Sequence, residues 1–143
     1  MSLKRYRGPI VLVASLPGIA MIQHDTWTPL TLTAVSQGVP FEQPDSSSFI
    51  IPETGWYEVG FSVNWYNSSG ASNRSAQVRV NGNSLAHVEE PMNGGSWSTI
   101  GDSRPALLNS GDVLTLEVMQ DSGSTLNIYP SPERTRLTIT KLY

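Results

Sequence analysis

The sequence predicts an all-β domain in which two antiparallel sheets pack as a sandwich. Apolar and polar residues alternate over residues 57–65, which is the period of a strand with one buried face. Turn-forming residues recur about every ten positions between the apolar runs. No stretch keeps the apolar spacing of about 3.6 residues that an amphipathic helix requires. Together these patterns favour strands and turns over helices.

Eight or nine segments are expected to form strands, each bounded by turn residues. In chain order they are residues 10–14, 30–35, 48–51, 57–65, 76–80, 84–88, 113–119, 125–129 and 136–142. Asn81 and Gly82 separate two of them and predict a tight hairpin, because this dipeptide suits the left-handed backbone of a type I′ turn.

The segment 57–65 is the clearest strand. Its alternate residues, from Tyr57 to Trp65, are predicted to face the core. Trp56 then lies on the opposite face, where a desolvated tryptophan can anchor a subunit contact.

The chain of 143 residues is long enough for one domain, which we assign to residues 10–143. Residues 1–9 form an N-terminal arm that carries Lys4, Arg5 and Arg7. This arm is either an ordered segment that reaches a neighbouring subunit or a solvated chain end.

The first predicted strand is apolar at every position, and it includes Ile10, Val11, Leu12 and Val13. Such a strand is expected to be covered on both faces. Either a second subunit or a loop of the same chain would provide the outer cover, so these four residues are candidates for an oligomer interface.

Composition excludes several classes of partner. The net charge is −3 and the only basic cluster is in the arm, which argues against a nucleic-acid partner. The chain has no cysteine, so it has neither disulfides nor thiolate metal sites. The apolar stretch 10–22 is interrupted by Pro17 and Gly18 and is too short to cross a bilayer, which predicts a soluble protein without signal peptide or membrane insertion.

Four segments carry characteristic motifs in a fixed order. Residues 49–63 combine an aromatic residue, a proline, a glycine and alternating aromatics, and residues 78–82 end in Asn-Gly. Residues 107–116 contain a Leu, a Gly-Asp pair and an alternating strand. These motifs resemble those of C1q and tumour-necrosis-factor-like domains, and residues 137–143 resemble the strand that closes the inner sheet of such domains. The resemblance covers most of residues 27–143. It implies a C1q/TNF-like jelly roll of eight to ten strands that assembles as a trimer around its inner sheets.

The sequence offers no group of residues for catalysis. His24 and His87 lack metal-ligand spacing, and Glu89 and Glu90 point to opposite faces of an extended chain. We therefore predict no enzymatic activity, no cofactor and no metal site, although calcium binding at an Asp-containing turn stays open.

The remaining aromatic residues are candidates for contacts. Trp97 is expected in a flexible polar segment, where it either binds a ligand or covers the sandwich edge. Tyr66, Asn67 and Asn93 lie in or beside neighbouring polar segments and complete the predicted binding set. Tyr143, the last residue, joins the predicted oligomer interface.

These observations favour a structural virion protein. A stand-alone, cysteine-free jelly roll resembles bacteriophage or viral decoration, cement or fibre-knob proteins, whose partners are capsid or fibre proteins and whose location is the virion. The alternative is a carbohydrate- or receptor-binding module for a cell-surface glycan, because sugars require an aromatic face and amide hydrogen bonds. A soluble cytokine-like ligand is a third hypothesis.

Overall fold

The computed structural model describes residues 9–37, 39, 41–67, 72–92, 96–131 and 133–143. All of the regular elements in these residues are β-strands, so the all-β prediction is confirmed. The strands are β1 (Val11–Ser15), β2 (Ala20–Ile22), β3 (Thr28–Pro29), β4 (Thr33–Gln37), β5 (Ser48–Ile50), β6 (Gly55–Asn67), β7 (Ser72–Val80), β8 (Asn83–Met92), β9 (Ser96–Leu108), β10 (Val113–Gln120), β11 (Leu126–Ile128) and β12 (Arg136–Lys141).

The strands form two antiparallel sheets, one of seven strands and one of five. In the seven-stranded sheet, β6 pairs with β9 on one side and with β11 and β12 in succession on the other. β12 continues to β1 and β4, while β11 continues to β2. The five-stranded sheet has the order β3-β10-β7-β8, and β5 also pairs with β10.

The core lies between the sheets and is built by alternation along the central strands. Tyr57 and Trp65 of β6 are fully buried, as predicted, and so are Leu114, Leu116 and Val118 of β10. Burying each large apolar side chain contributes about 1.5–3 kcal/mol. Burial of these side chains therefore fixes which face of each sheet points inward.

The described residues form twelve strands where eight to ten were expected. Two of the additional strands, β2 and β3, are only three and two residues long. The third, β9, has thirteen residues but lacks clear alternation, because its inward positions include Asp102 and Arg104. These charges are accommodated because β9 is an edge strand, and they form an ion pair of 3.1 Å between Asp102 Oδ2 and Arg104 Nη2.

The first strand is covered on only one face. Leu12 and Ala14 are fully buried in the core, and Ile10 is also buried at the start of the strand. Val11 and Val13 point outward and are only partly buried. The described part of the chain therefore leaves the outer face of β1 open.

Candidate interaction surface

Small and polar residues occupy the centre of the outward face of the seven-stranded sheet. In the register of β6 with β9, Gly60 is opposite Ser103 and Ser62 is opposite Gly101. A Cβ at Gly101 would lie against the carbonyl oxygen of Phe61 and 3.0 Å from Cα of Ser62, so the close approach of the strands requires glycine there. Small side chains leave the centre of this face accessible to another surface.

Three aromatic rings meet at one end of this face. Tyr66 of β6 lies with its ring centroid 4.9 Å from that of Trp97 on β9. Tyr129, which follows β11, lies 5.1 Å from Trp97 and 6.0 Å from Tyr66. The interplanar angles of 56–80° are those of tilted and edge-to-face pairs, which are the favourable aromatic geometries. We call these three residues the aromatic cluster.

The aromatic cluster belongs to a row of side chains that crosses the sheet. The strand registers place Met21 of β2 opposite Asn127 of β11, Asn127 opposite Tyr66, and Tyr66 opposite Trp97. Met21 is 69% exposed and Trp97 is 48% exposed. Three of the four strands in this row contribute an exposed apolar group, Met21, Tyr66 and Trp97, and such a patch is typical of interaction surfaces.

Hydrogen bonds beside the cluster hold its backbone in place. The backbone N–H of Asn64 donates to Thr135 Oγ1 at 3.0 Å, and Thr135 Oγ1 donates to the Tyr129 carbonyl at 3.4 Å. Thr99 Oγ1 donates to Asn64 Oδ1 at 2.9 Å, which links β9 to β6. These bonds bridge the gap where β6 changes partners from β12 to β11.

A buried cation lies behind the cluster, on the core side of β6. Arg74 of β7 is fully buried, and its guanidinium carbon is 5.7 Å from the centroid of the Trp65 ring. Burial lowers the pKa of Arg74, although the charge of Asp121 opposes this shift. The contact of Arg74 with Trp65 supports the strand that carries Tyr66.

A second apolar region occupies the opposite end of the same face. Trp56 and Leu107 are opposite each other on β6 and β9, and both are exposed. The backbone N–H of Trp56 donates to the Tyr143 carbonyl at 2.9 Å, and Tyr143 itself is 79% exposed. Beside them is an open groove of about 390 Å³, bounded by Val80, Leu85 and the end of β9.

The structure brings together some of the predicted site residues and separates others. Tyr66 and Trp97 meet in the aromatic cluster. The sequence had suggested a flexible polar segment for Trp97, but this residue lies in the edge strand β9. Val11 and Val13 share the outward face with the cluster, but Ile10 and Leu12 are buried in this chain's own core.

Of the other predicted positions, Asn67 ends β6 opposite Ser96. Lys4, Arg5, Arg7 and Asn93 lie outside the described residues. Sequence reasoning did not select Met21 or Asn127, because only the strand registers reveal that these residues lie in line with Tyr66.

Both histidines have structural contacts. His24 Nδ1 accepts a hydrogen bond from the Gly123 N–H at 3.0 Å, and His87 packs edge-on against Trp27. Residues 9–37, 39, 41–67, 72–92, 96–131 and 133–143 contain no group of three or more His, Cys, Asp or Glu side chains placed to hold a metal ion. In these same ranges, no helix is long and apolar enough to span a membrane.

Comparison with known proteins identifies the fold. No protein-family model matches the chain, and no curated protein matches it either. Among solved structures, murine APRIL at pH 5.0 superposes with a TM-score of 0.73 at 17% identity, over 94% of this chain and 100% of that one. Eiger TNF from S. frugiperda superposes with a TM-score of 0.72 at 14% identity, over 96% of this chain and 94% of that one. The chain therefore has the predicted TNF-like jelly-roll fold.

Proposed function

We propose that this protein is a non-enzymatic structural protein that works as a homotrimer built on the outward face of the seven-stranded sheet. The observation that carries the proposal is the aromatic cluster, in which Tyr66 and Trp97 are exposed although they pack against each other. A solvated sheet face normally presents polar side chains. A second copy that covers this face would remove the aromatic rings from water.

The positions of the apolar groups suit a head-to-tail assembly. Val11 and Val13 lie three strands away from β9, a separation of about 14 Å. Val13 is level with Gly60 through Thr138, and Tyr66 lies about 20 Å farther along β6. The aromatic cluster and the aliphatic pair Val11 and Val13 therefore occupy different parts of one face. Each copy can contact two different neighbours through these two parts, as in a closed ring.

The oligomeric state tests this proposal directly. We expect light scattering coupled to size-exclusion chromatography to give three times the chain mass of 15.6 kDa. Trp97→Ala should shift the population toward smaller species, because truncation of a central aromatic anchor typically costs 2 kcal/mol or more, at least about 30-fold in the association constant. Trp27→Ala is the matched control, since Trp27 packs with His87 on the other sheet.

A monomer or dimer at every concentration would refute the trimer. If Trp97→Ala and Trp27→Ala reduced the trimer population equally, assembly would not depend on the outward face of the seven-stranded sheet. Tryptophan removal can also destabilise the fold, so the melting temperature of each variant is measured in parallel.

We further propose that the trimer is part of a virion, as a capsid decoration protein or a fibre-tip knob. The support is the sequence resemblance together with a surface suited to subunit contacts. Immunogold labelling of purified particles with antibodies against the protein should mark the shell or the fibre tips. Unlabelled particles, with all of the antigen in the particle-free fraction, would contradict this assignment.

The aromatic cluster also favours a second candidate function, binding of a cell-surface glycan. Tyr66, Trp97 and Tyr129 offer ring surfaces, and Asn127 lies in the same row with a side-chain amide. A glycan array should then show binding that Trp97→Ala abolishes and Trp27→Ala preserves. Binding that persists in the Trp97→Ala variant would exclude this use of the cluster.

A further inference from the structure

The turn between β7 and β8 contains a chemically sensitive pair of residues. Asn81 and Gly82 both have positive φ, 52° and 83°, and both are exposed. An asparagine followed by glycine is prone to deamidation, because glycine has no side chain to hinder attack by its backbone nitrogen on the asparagine side chain. Exposure and sequence alone would therefore predict rapid loss of this amide.

The Asn81 side chain is nevertheless held at both of its polar atoms. Its Nδ2 donates to Asp112 Oδ1 at 3.0 Å, and its Oδ1 accepts from the Val113 N–H at 2.9 Å. Asp112 is held in turn, because its Oδ2 accepts from the Asn109 N–H at 2.8 Å. These bonds tie the β7–β8 turn to the β9–β10 turn, and we call them the amide clamp.

We propose that Asn81 is a latent deamidation site that the amide clamp protects. For the reaction, the Gly82 backbone nitrogen loses its proton and bonds to Asn81 Cγ, and the Nδ2 nitrogen leaves as ammonia. Water then opens the resulting succinimide at either carbonyl, which leaves an aspartate or an isoaspartate. The side chain can rotate toward Gly82 only after its bonds to Asp112 and Val113 break, so the clamp opposes the first step.

Loss of the amide would alter an edge of the proposed assembly face. The new carboxylate would face the Asp112 carboxylate, to which Asn81 Nδ2 now donates at 3.0 Å, and like charges at that distance repel. Val80, Asn83 and Asp112 border the groove beside Trp56. Deamidation at the turn would thus open the clamp and change the shape of this groove.

Peptide mapping by mass spectrometry tests the proposal on the full chain incubated at mildly alkaline pH. We expect deamidation at Asn81 to be at least about tenfold slower in the folded protein than in the chain unfolded in guanidinium, because a charge-assisted hydrogen bond must break first. Asp112→Ala should raise the folded rate by a similar factor. Thr54→Ala is the matched control: it removes the acceptor of the Ser110 N–H bond in the same turn and leaves the clamp intact.

A folded wild-type rate equal to the unfolded rate would overturn the proposal, and so would equal acceleration by Asp112→Ala and Thr54→Ala. If Asp112→Ala does not fold, Asp112→Asn keeps the shape and one acceptor oxygen, and it should give an intermediate rate. In that case a wild-type rate in Asp112→Asn would exclude the clamp, and where Asp112→Ala folds, a wild-type rate in that variant would exclude it. The readout is chemical, so it does not depend on trimer formation or on glycan binding.

Discussion

Replacement of Gly101 by alanine should separate β6 from β9, the two strands that bring Tyr66 and Trp97 together. A Cβ at Gly101 would overlap the carbonyl oxygen of Phe61 and lie 3.0 Å from Cα of Ser62. Both obstacles are backbone atoms, so no side chain can rotate away. The strands would have to move apart in the middle of a ladder that runs from Gly55 to Asn67 on β6.

The cost can be worked out from these contacts. Overpacking costs about 1–3 kcal/mol, and a weakened ladder hydrogen bond adds about 1 kcal/mol. Alanine has less conformational entropy than glycine in the unfolded chain, which offsets about 0.4–1 kcal/mol of this loss of stability. The net loss is about 1–3.5 kcal/mol, which lowers the melting temperature by roughly 3–14 °C for a domain of this size.

The assay is thermal unfolding followed by far-ultraviolet circular dichroism, with near-ultraviolet signals to report on the aromatic cluster. Gly18→Ala is the matched control, because nothing lies within 4 Å of a Cβ at Gly18 and its φ is not positive. A series of protein concentrations separates folding from assembly, since assembly makes the melting temperature depend on concentration. If Gly101→Ala melts within about 2 °C of wild type, or if Gly18→Ala falls equally, the steric reasoning is wrong.

Three further substitutions test the core, a buried hydroxyl and a carboxylate of the edge strand β9. Leu116→Ala, which empties a fully buried site, should cost about 2–5 kcal/mol in chemical denaturation, whereas Ile19→Ala at a 54% exposed site should stay within about 0.5 kcal/mol; similar losses would contradict the assigned core. Tyr57→Phe removes the hydroxyl that donates to the Glu53 carbonyl at 2.6 Å and should cost about 0.5–1.5 kcal/mol, so an unchanged unfolding midpoint would argue against that bond. The pKa of Asp102 is lowered from 3.8, first by the hydrogen bond from the next backbone N–H and then by the neighbouring guanidinium. A lowered folded pKa stabilises the protein above the unfolded pKa, and this stabilisation is lost as the pH falls through the folded value. Asp102→Asn should therefore melt below wild type near neutral pH and approach it below about pH 4, and a pH-independent difference would contradict the shift.

The sequence by itself determined the all-β class, the inward face of β6 and the hairpin at Asn81. These features depend on local chemistry. Alternation places Tyr57 and Trp65 on one side of a strand whatever the strand pairs with, and both are fully buried. Asn-Gly favours positive φ before any tertiary contact forms, and the structure has positive φ at both residues.

Only the tertiary structure decided the extent of β9 and the composition of the interaction surface. β9 lacks alternation because an edge strand can carry Asp102 and Arg104 at inward positions, so its thirteen residues gave no periodic signal. The cluster of Tyr66, Trp97 and Tyr129 comes from segments far apart in the chain and depends on strand register. Register is set by packing of the whole sandwich, because a shift of one residue would turn every side chain of a strand to the other face.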